Sequence, residues 1–383
     1  MARPPVRLHA SSRPQQAQEI EIGASAHNRS WLDAINGDKW RITRRIEHAP
    51  ARKLRLVMPQ EDEQRISMGA LNPRMPTAMR WGARATVIQM TPTCPRCGGA
   101  ASFALRAEDR NRMAGRGQFE YWRCDACGVL WLPDIPQDLG AHYPADYHPS
   151  LAPSELEPAI AAEQPRVDLV AEHVEPGQMV EIGPSQGIFA LAAARAGFDV
   201  VAMEMDPDCC RQVTDRGVRA IHTAAPQEEL PKLGPSRAAV LWHVIEHLPD
   251  PWAVLRAIGA NLEPGGVLAL ATPNPDSFQF RAFGARWVHL DAPRHLTLIP
   301  LAALREEAAR QDLALVNATA SDRVGLGLNR LGWQRSFLRP PALRPDPRFA
   351  YTLGEVFGRT LGAWEARGLR GAAYTAVFVK GTA

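Results

Sequence analysis

No run of about 18 apolar residues occurs in the 383-residue chain, which excludes a membrane-spanning helix of ordinary length. The arginine-bearing N-terminus also lacks the apolar core of a secretory leader. Cysteine is scarce: the six residues fall in three pairs, Cys94/Cys97, Cys124/Cys127 and Cys209/Cys210. That usage fits a metal site in a reducing compartment rather than a disulfide framework, and with the missing leader it predicts a cytoplasmic protein. A hydrophobic fraction of 45% and a charged fraction of 22% are those of a soluble globular chain.

Positive charge is missing where a nucleic-acid partner would need it. Residues 1–90 hold 15 Lys+Arg against 8 Asp+Glu (net +7), whereas the remainder holds 29 against 33 (net −4). A slightly acidic body is poorly suited to a large polyanion such as duplex nucleic acid. Residues 1–90 show no sustained periodicity and read as a basic, flexible extension, with a nucleic-acid or partner-binding arm as the alternative.

The chain also lacks the third glycine of a dinucleotide fingerprint. Val180-Glu181-Ile182-Gly183-Pro184-Ser185-Gln186-Gly187-Ile188-Phe189 is followed by Glu204, seventeen residues after Gly187. The segment reads as strand (178–182), glycine turn, helix (188–196), strand (198–204) and acid. Gly183 and Gly187 let the backbone turn tightly against a ligand, and Glu204 at a strand's carboxyl end can accept from ribose hydroxyls. A dinucleotide site wants G-x-G-x-x-G around a pyrophosphate. With Ser185 in the middle and G-x-x-x-G spacing, S-adenosylmethionine (SAM) fits better than NAD or FAD, and a ligand-free structural turn is the remaining alternative.

Further strands are expected near 218–223, 238–242, 266–272, 313–319 and 373–380. Helices separate the first five strands, and the last two form an antiparallel pair around an insertion at 322–371. The predicted fold is α/β, a Rossmann-like doubly wound seven-stranded sheet over 155–383, preceded by a small zinc-ribbon domain at 91–150. Cys94-Pro95-Arg96-Cys97 and Cys124-Asp125-Ala126-Cys127 are two C-x-x-C knuckles 26 residues apart. Four thiolates close a tetrahedral Zn²⁺ site and leave no open position, so the site is structural. A pair of reducible dithiols is the alternative. Cys209-Cys210 falls on a helix face after the second body strand and takes no site role.

In a doubly wound sheet the loops after the first and fourth strands meet at the switch point. His243-Val244-Ile245-Glu246-His247-Leu248-Pro249-Asp250-Pro251 follows the fourth. As one helical turn, spacing i, i+3, i+4 would put His243, Glu246 and His247 on one face. The three then read as a general base, a cofactor contact, a weak divalent-metal site or a structural polar cap. After the fifth strand, Trp287-Val288-His289-Leu290-Asp291-Ala292-Pro293-Arg294-His295 is too polar for core and too aromatic for a linker. It is expected to cover the acceptor, with His247, His289 or His295 as proton acceptor, since neutral imidazole titrates near pH 7.

Over residues 91–383 these motifs together resemble class I SAM-dependent methyltransferases, and among them the bacterial group with an N-terminal zinc ribbon linked to sugar or surface-polysaccharide biosynthesis. Tyr143-Pro144-Ala145-Asp146-Tyr147 and Leu262-Glu263-Pro264-Gly265-Gly266 complete the set. The resemblance implies that Glu181, Gly183 and Gly187 line the methionine side of SAM, that Glu204 holds its ribose, and that His243 and Glu246 contribute to the cofactor site. It further implies O-methylation of a sugar or glycan intermediate, with structural Zn²⁺ as the second cofactor. Two departures stand out. Ser185 replaces the usual middle glycine, and His222-Thr223-Ala224-Ala225 lacks the acid that often meets adenine. The Glu246-His247 pair is also similar to quinone O-methyltransferases, whose helix start can take a divalent cation. An RNA methyltransferase gripping RNA with the ribbon is an alternative, but the chain lacks an (Asn/Asp)-Pro-Pro-aromatic element after the fourth strand. A non-catalytic SAM-binding scaffold is another.

Overall fold

The computed structural model describes residues 91–112, 117–143, 147, 151–337 and 347–382. The expectations for the basic extension (1–90), for Pro144–Asp146 and for part of the insertion lie outside these residues. No described helix is long and apolar enough to cross a membrane.

Three strands build the ribbon: β1 (Ala101–Ala107), β2 (Phe119–Cys124) and β3 (Leu130–Trp131). β1 and β2 pair antiparallel from Ala101↔Cys124 to Ala107↔Phe119. The body then runs α1 (Pro153–Ala171), β4 (Gln178–Ile182), α2 (Ile188–Arg195), β5 (Asp199–Glu204), α3 (Pro207–Asp215), β6 (Arg219–His222), α4 (Pro226–Glu229), β7 (Ser236–Trp242), α5 (Pro251–Asn261) and β8 (Leu262–Pro273). It finishes with α6 (Phe278–Phe283), β9 (Thr297–Leu298), α7 (Leu301–Ala309), β10 (Leu313–Thr319), α8 (Arg323–Ser336), α9 (Pro347–Glu365) and β11 (Ala373–Lys380).

The large sheet has the order β10-β11-β8-β7-β4-β5-β6. β4 pairs parallel with β5 and β7, β7 with β8, and β5 with β6, while β11 lies antiparallel between β8 and β10. This is the doubly wound seven-stranded sheet expected from the sequence, with its switch point between β4 and β7. Strand alternation divides the core. Val267 and Ala269 of β8 pack with Met179, Val240 and the inner faces of α1 and α2. Leu268 and Leu270 turn the other way, onto Trp252, Leu255 and Ile258 of α5 and Leu304 and Ala308 of α7. Caps match local chemistry: Asp206 accepts from the Asp208 and Cys209 amides at the start of α3, and Asp250 from Ala253 at the start of α5. Cys209 and Cys210 are both buried on α3.

The ribbon does not stand apart. β3 pairs on one side with β2 and on the other with β9 of the body, Leu130↔Leu298 and Trp131↔Thr297. Residues 92–383 form one compact unit. The two-residue strand β9 lies immediately after the histidine-rich segment, so the ribbon sheet is finished by the segment that was expected to cover the acceptor.

Candidate active site

The glycine turn sits where the sequence placed it. Gly183 and Gly187 both have left-handed backbones, φ 68° and 74°, and both are hemmed in. A Cβ on Gly183 would lie 2.5 Å from Val244, and one on Gly187 2.8 Å from Val213. The close approach at Gly183 is to the loop after β7, so the two loops of the switch point touch there. Ser185, at the place of the usual middle glycine, is also left-handed (φ 52°), a conformation that costs a residue with a Cβ ~1–2 kcal/mol. Its amide donates to Glu204 Oε2 at 2.9 Å, while Oε1 accepts from the Met205 and Asp206 amides at 2.8 and 2.9 Å. The buried Glu204 carboxylate thus ties the turn after β4 to the end of β5, with room on Oε2 for one further donor. In the region of the missing adenine acid, the His222 imidazole meets the Met205 carbonyl at 3.0 Å.

Glu181 lies in the β4 core at 2% exposure, and its Oε2 has no hydrogen-bond partner. Burial raises its carboxyl to about 8, helped by the charges of Glu163 and Glu204 and opposed by Arg166. A buried acid with an open oxygen beside the turn could pair with a cationic group.

Past β7, the expected helical turn is shorter than the sequence suggested. Only Ile245–His247 forms a 3-10 turn, and His243 has left the helical region (φ 59°). Leu248 is extended, as a residue before proline tends to be. His243, Glu246 and His247 therefore do not share a helical face. Glu246 instead meets His243 directly and His295 from the segment 287–295, which His247 also touches through the Arg294 carbonyl. Glu246 is fully buried, and its Oε2 accepts from the Thr272 hydroxyl at 3.0 Å. Its Oε1 has no hydrogen bond but lies 3.7 Å from His243 Nδ1 and 3.9 Å from His295 Nε2. Burial pushes the Glu246 carboxyl up, yet His243 and the charges of His295 and His247 outweigh it and hold it at about 2.

The partners of the three lid-facing histidines settle their tautomers, because a backbone carbonyl can only accept. His247 Nδ1 lies 3.0 Å from the Arg294 carbonyl, so it carries the proton. The Tyr143 oxygen, 3.2 Å away, shares that donor. His295 Nδ1 likewise donates to the His289 carbonyl at 2.9 Å. In both residues Nδ1 is thus engaged and Nε2 is the remaining ring nitrogen, and their rings stack edge to face at 4.6 Å. His289 is arranged differently. Its Nε2 donates to the Leu328 carbonyl at 2.7 Å, which ties the segment to α8. Desolvation holds His247 and His289 down at about 4, with His295's charge contributing to both. They are neutral at pH 7. Donor atoms of Glu246, His247 and His295 lie within 4.8 Å of one another, a spacing that could also take a divalent ion. His289 is outside that group.

The four cysteines of the knuckles meet at one point. Sulfur–sulfur distances are 3.6 Å (Cys94–Cys127), 3.5 Å (Cys97–Cys124) and 3.8 Å (Cys97–Cys127). A tetrahedral ion with metal–sulfur bonds of about 2.3 Å spaces its ligands about 3.8 Å apart, so the thiols fit zinc. Gly98 and Gly128, both left-handed, turn the chain after each knuckle.

Several contacts that matter here escaped the sequence reading. Tyr121 of β2 donates to the His295 carbonyl at 2.8 Å. Tyr143 stands edge to face with Tyr147 at 4.7 Å, and the Arg112 guanidinium lies over Tyr147. Asp109, Asp291 and Arg294 form a buried ion cluster. Only the Asp291/Arg294 spacing was visible beforehand, because Asp109 reaches Arg294 across 185 positions.

Residues 157–318 match the family model described as a methyltransferase domain. The chain is 30% identical over 152 residues to the ubiquinone biosynthesis O-methyltransferase of Bordetella avium, covering 37% of this chain and 63% of that protein. It is 31% identical over 133 residues to that of Xanthomonas campestris, covering 32% and 56%. The chain thus spans about three fifths of the length of the curated relatives it matches. Among solved structures it is similar to SAM-dependent methyltransferases of Archaeoglobus fulgidus (13% identity, TM-score 0.40, 58% of this chain and 94% of that one) and Mesorhizobium loti (13%, 0.37, 57% and 98%). Residues 157–318 thus match a methyltransferase domain, and the sheet that contains them has the mostly parallel α/β methyltransferase fold.

Proposed function

We propose that the chain is a SAM-dependent O-methyltransferase with His295 as the general base. The observation that carries this is the placing of His295, whose Nε2 faces Glu246 Oε1 and Asp291 Oδ2 at 3.9 Å each while its Nδ1 donates to the His289 carbonyl. SAM, when bound, supplies a methyl group on a sulfonium, already activated for in-line displacement. The chain then has to hold the acceptor in line and take its proton. As His295 accepts that proton, the imidazolium gains two nearby carboxylates, which favour the charged form. His247, whose Nε2 is equally free, is the secondary candidate. His289 is spent on the Leu328 carbonyl and serves the segment's position.

Glu181, Gly183, Gly187 and Glu204 fit the cofactor. The hemmed glycines shape the turn, Glu204 Oε2 keeps one acceptor position for a hydroxyl, and Glu181 awaits a cation. His243 and Glu246 border the same crevice across Val244. The relatives' name brings O-methylation in ubiquinone biosynthesis as a comparison. A phenolic hydroxyl, with a pKa of about 10 like that of tyrosine, suits a neutral imidazole better than a sugar hydroxyl does. We therefore place a phenolic acceptor first. The sugar or glycan acceptor implied by the zinc-ribbon resemblance comes second, supported by the Tyr143/Tyr147 pair as an aromatic wall. Incubation of the full chain with SAM and either catechol-type phenols or nucleotide sugars, with mass detection of a methyl gain, tests both. Absence of SAM binding by calorimetry would remove the reading altogether.

Glu181 gives this proposal a pH signature. Neutral in the free protein at pH 7, it must ionise to pair with a cation, so binding expels a proton. SAM affinity is expected to climb as pH rises toward about 8 and then level off. In Glu181→Gln the slope vanishes, and affinity at pH 8 falls about tenfold or more, the worth of a charge-assisted hydrogen bond of ~1.5 kcal/mol. The folded acid binds more protons than the unfolded one between its ordinary value and about 8. The cofactor-free protein should therefore lose stability as pH rises through that window. Calorimetry in buffers of different ionisation enthalpy counts the proton directly, and zero release would rule out Glu181 as the cation's partner.

A further inference from the structure

Arg294 is completely buried, and all five of its N–H donors are used. Nη1 and Nη2 fork onto Asp109 at 2.9 and 2.6 Å, Nε and Nη2 onto Asp291 at 3.0 and 2.6 Å, and Nη1 also reaches the His142 carbonyl at 2.7 Å. Five donors and five bonds leave the guanidinium no alternative orientation. Asp109 and His142 belong to the ribbon segment, and Asp291 to the segment over the crevice. The cluster is therefore a joint between them.

That joint lies directly beneath the two imidazoles. The Arg294 carbonyl receives His247 Nδ1, and the next residue is His295. Asp291 Oδ2 lies against His295 Nε2, and the Asp291 carbonyl accepts the Arg294 and His295 amides. From the ribbon, Tyr121 holds the His295 carbonyl, and the Leu132 amide donates to Leu296 at 2.9 Å. From the body, the Leu296 amide donates to the Glu246 carbonyl at 2.7 Å. The strip 291–296 is pinned from both sides, and its ribbon side depends on Asp109 and Tyr121.

We propose that Arg294 is a positioning residue that fixes the ring orientation and tautomer of both His247 and His295, and that the ribbon, through Asp109, supplies the outer half of its anchorage. The ribbon is then a wall of the catalytic crevice and not an appended module. The catalytic consequence rests on the methyl-transfer reading; the structural claim does not.

The test uses the full chain with ¹⁵N-labelled histidine. Long-range ¹H–¹⁵N correlation spectra of the wild type should show His247 and His295 each holding a proton at Nδ1. Asp109→Asn removes one fork's charge with little change of shape, and Arg294→Lys keeps the charge but loses both forks. Each variant should convert these two residues to mixed tautomers and lower kcat about 10–100-fold, the range for an orienting partner. The Kd for SAM should stay within about twofold of wild type. If both tautomers and kcat survive while only the melting temperature falls, the cluster is structural and the proposal is overturned. Should Asp109→Asn fail to fold, Tyr121→Phe decides. It is expected to disturb His295 and leave His247 in place, and an unchanged His295 signal with unchanged kcat overturns the proposal equally. If the wild type neither binds SAM nor transfers a methyl, the functional reading fails, and the tautomer spectra still decide the positioning claim.

Discussion

Replacing His295 by alanine should lower methyl transfer about 10²–10⁴-fold, the range for losing a general base, with SAM affinity almost unchanged. The effect should fall on kcat, because on the proposed mechanism the imidazole takes the acceptor's proton, while its contacts are with Glu246, Asp291 and His247 and none is with the turn at 183–187. His247→Ala should cost less. It removes the neighbouring ring and its bond to the Arg294 carbonyl but leaves His295 Nε2 between its two carboxylates. His289→Ala should act through stability, since its ring ties the segment to α8 through Leu328. His295→Gln, which keeps a polar group there and cannot accept the proton, should be as inactive as the alanine variant. Single-turnover rates for the four proteins at saturating SAM separate these cases. Near-wild-type chemistry in His295→Ala would transfer the base role to His247, and near-wild-type rates in both variants would end the imidazole mechanism.

The sheet was legible because its strands are continuous apolar runs between turn residues, and parallel strands buried on both faces must read that way. Gln178–Ile182 and Leu313–Thr319 emerge with the bounds expected for them. Glu204 was legible for the same reason: a short strand ends on it, and what lies at a strand's carboxyl end faces the crevice. The convergence of Glu246 with His295 was only half visible. Each motif stood out by composition, but their meeting depends on how residues 287–296 cross the switch point, which no local periodicity encodes. The expectation of a shared helical face for His243, Glu246 and His247 missed because Pro249 pulls Leu248 into extended backbone and leaves a single 3-10 turn. Asp109 and Tyr121 were illegible for a simpler reason. Their partners lie more than 170 residues away, and in sequence they are ordinary residues of a ribbon hairpin. A motif reading assigns the ribbon its metal; only packing shows that Asp109, Tyr121 and His142 reach Arg294 and His295.

That division gives the second large effect. Removing the metal from the four-cysteine site should abolish methyl transfer while SAM binding persists. Structural zinc in small domains contributes ~10–16 kcal/mol to folding, comparable with the ~5–15 kcal/mol that stabilises a whole domain, so the ribbon should not hold its shape without it. Four thiolates around one Zn²⁺ carry a net charge of −2, and Arg96, its side chain 1% exposed, lies against Cys127 while bound to Glu306 at 2.9 Å. Losing the ion leaves that arrangement, and the docking of the knuckle on α7, without its centre. β3 then has nothing to hold it on β9, and Asp109, Tyr121 and His142 withdraw from Arg294 and His295. The cofactor turn does not share this dependence, since the Glu204 bonds that brace it run among residues 185–206. A Cys97→Ser/Cys127→Ser variant, or the wild type after a strong chelator, should therefore contain no zinc by elemental analysis and transfer methyl at or below the His295→Ala rate. It should still bind SAM with a Kd within severalfold of wild type, and zinc should restore the chelated protein. Zinc-free wild type that is fully active, or an active site lost to reductant but not to chelator, would mean that the four thiols act as dithiols and that the ribbon keeps its shape without an ion.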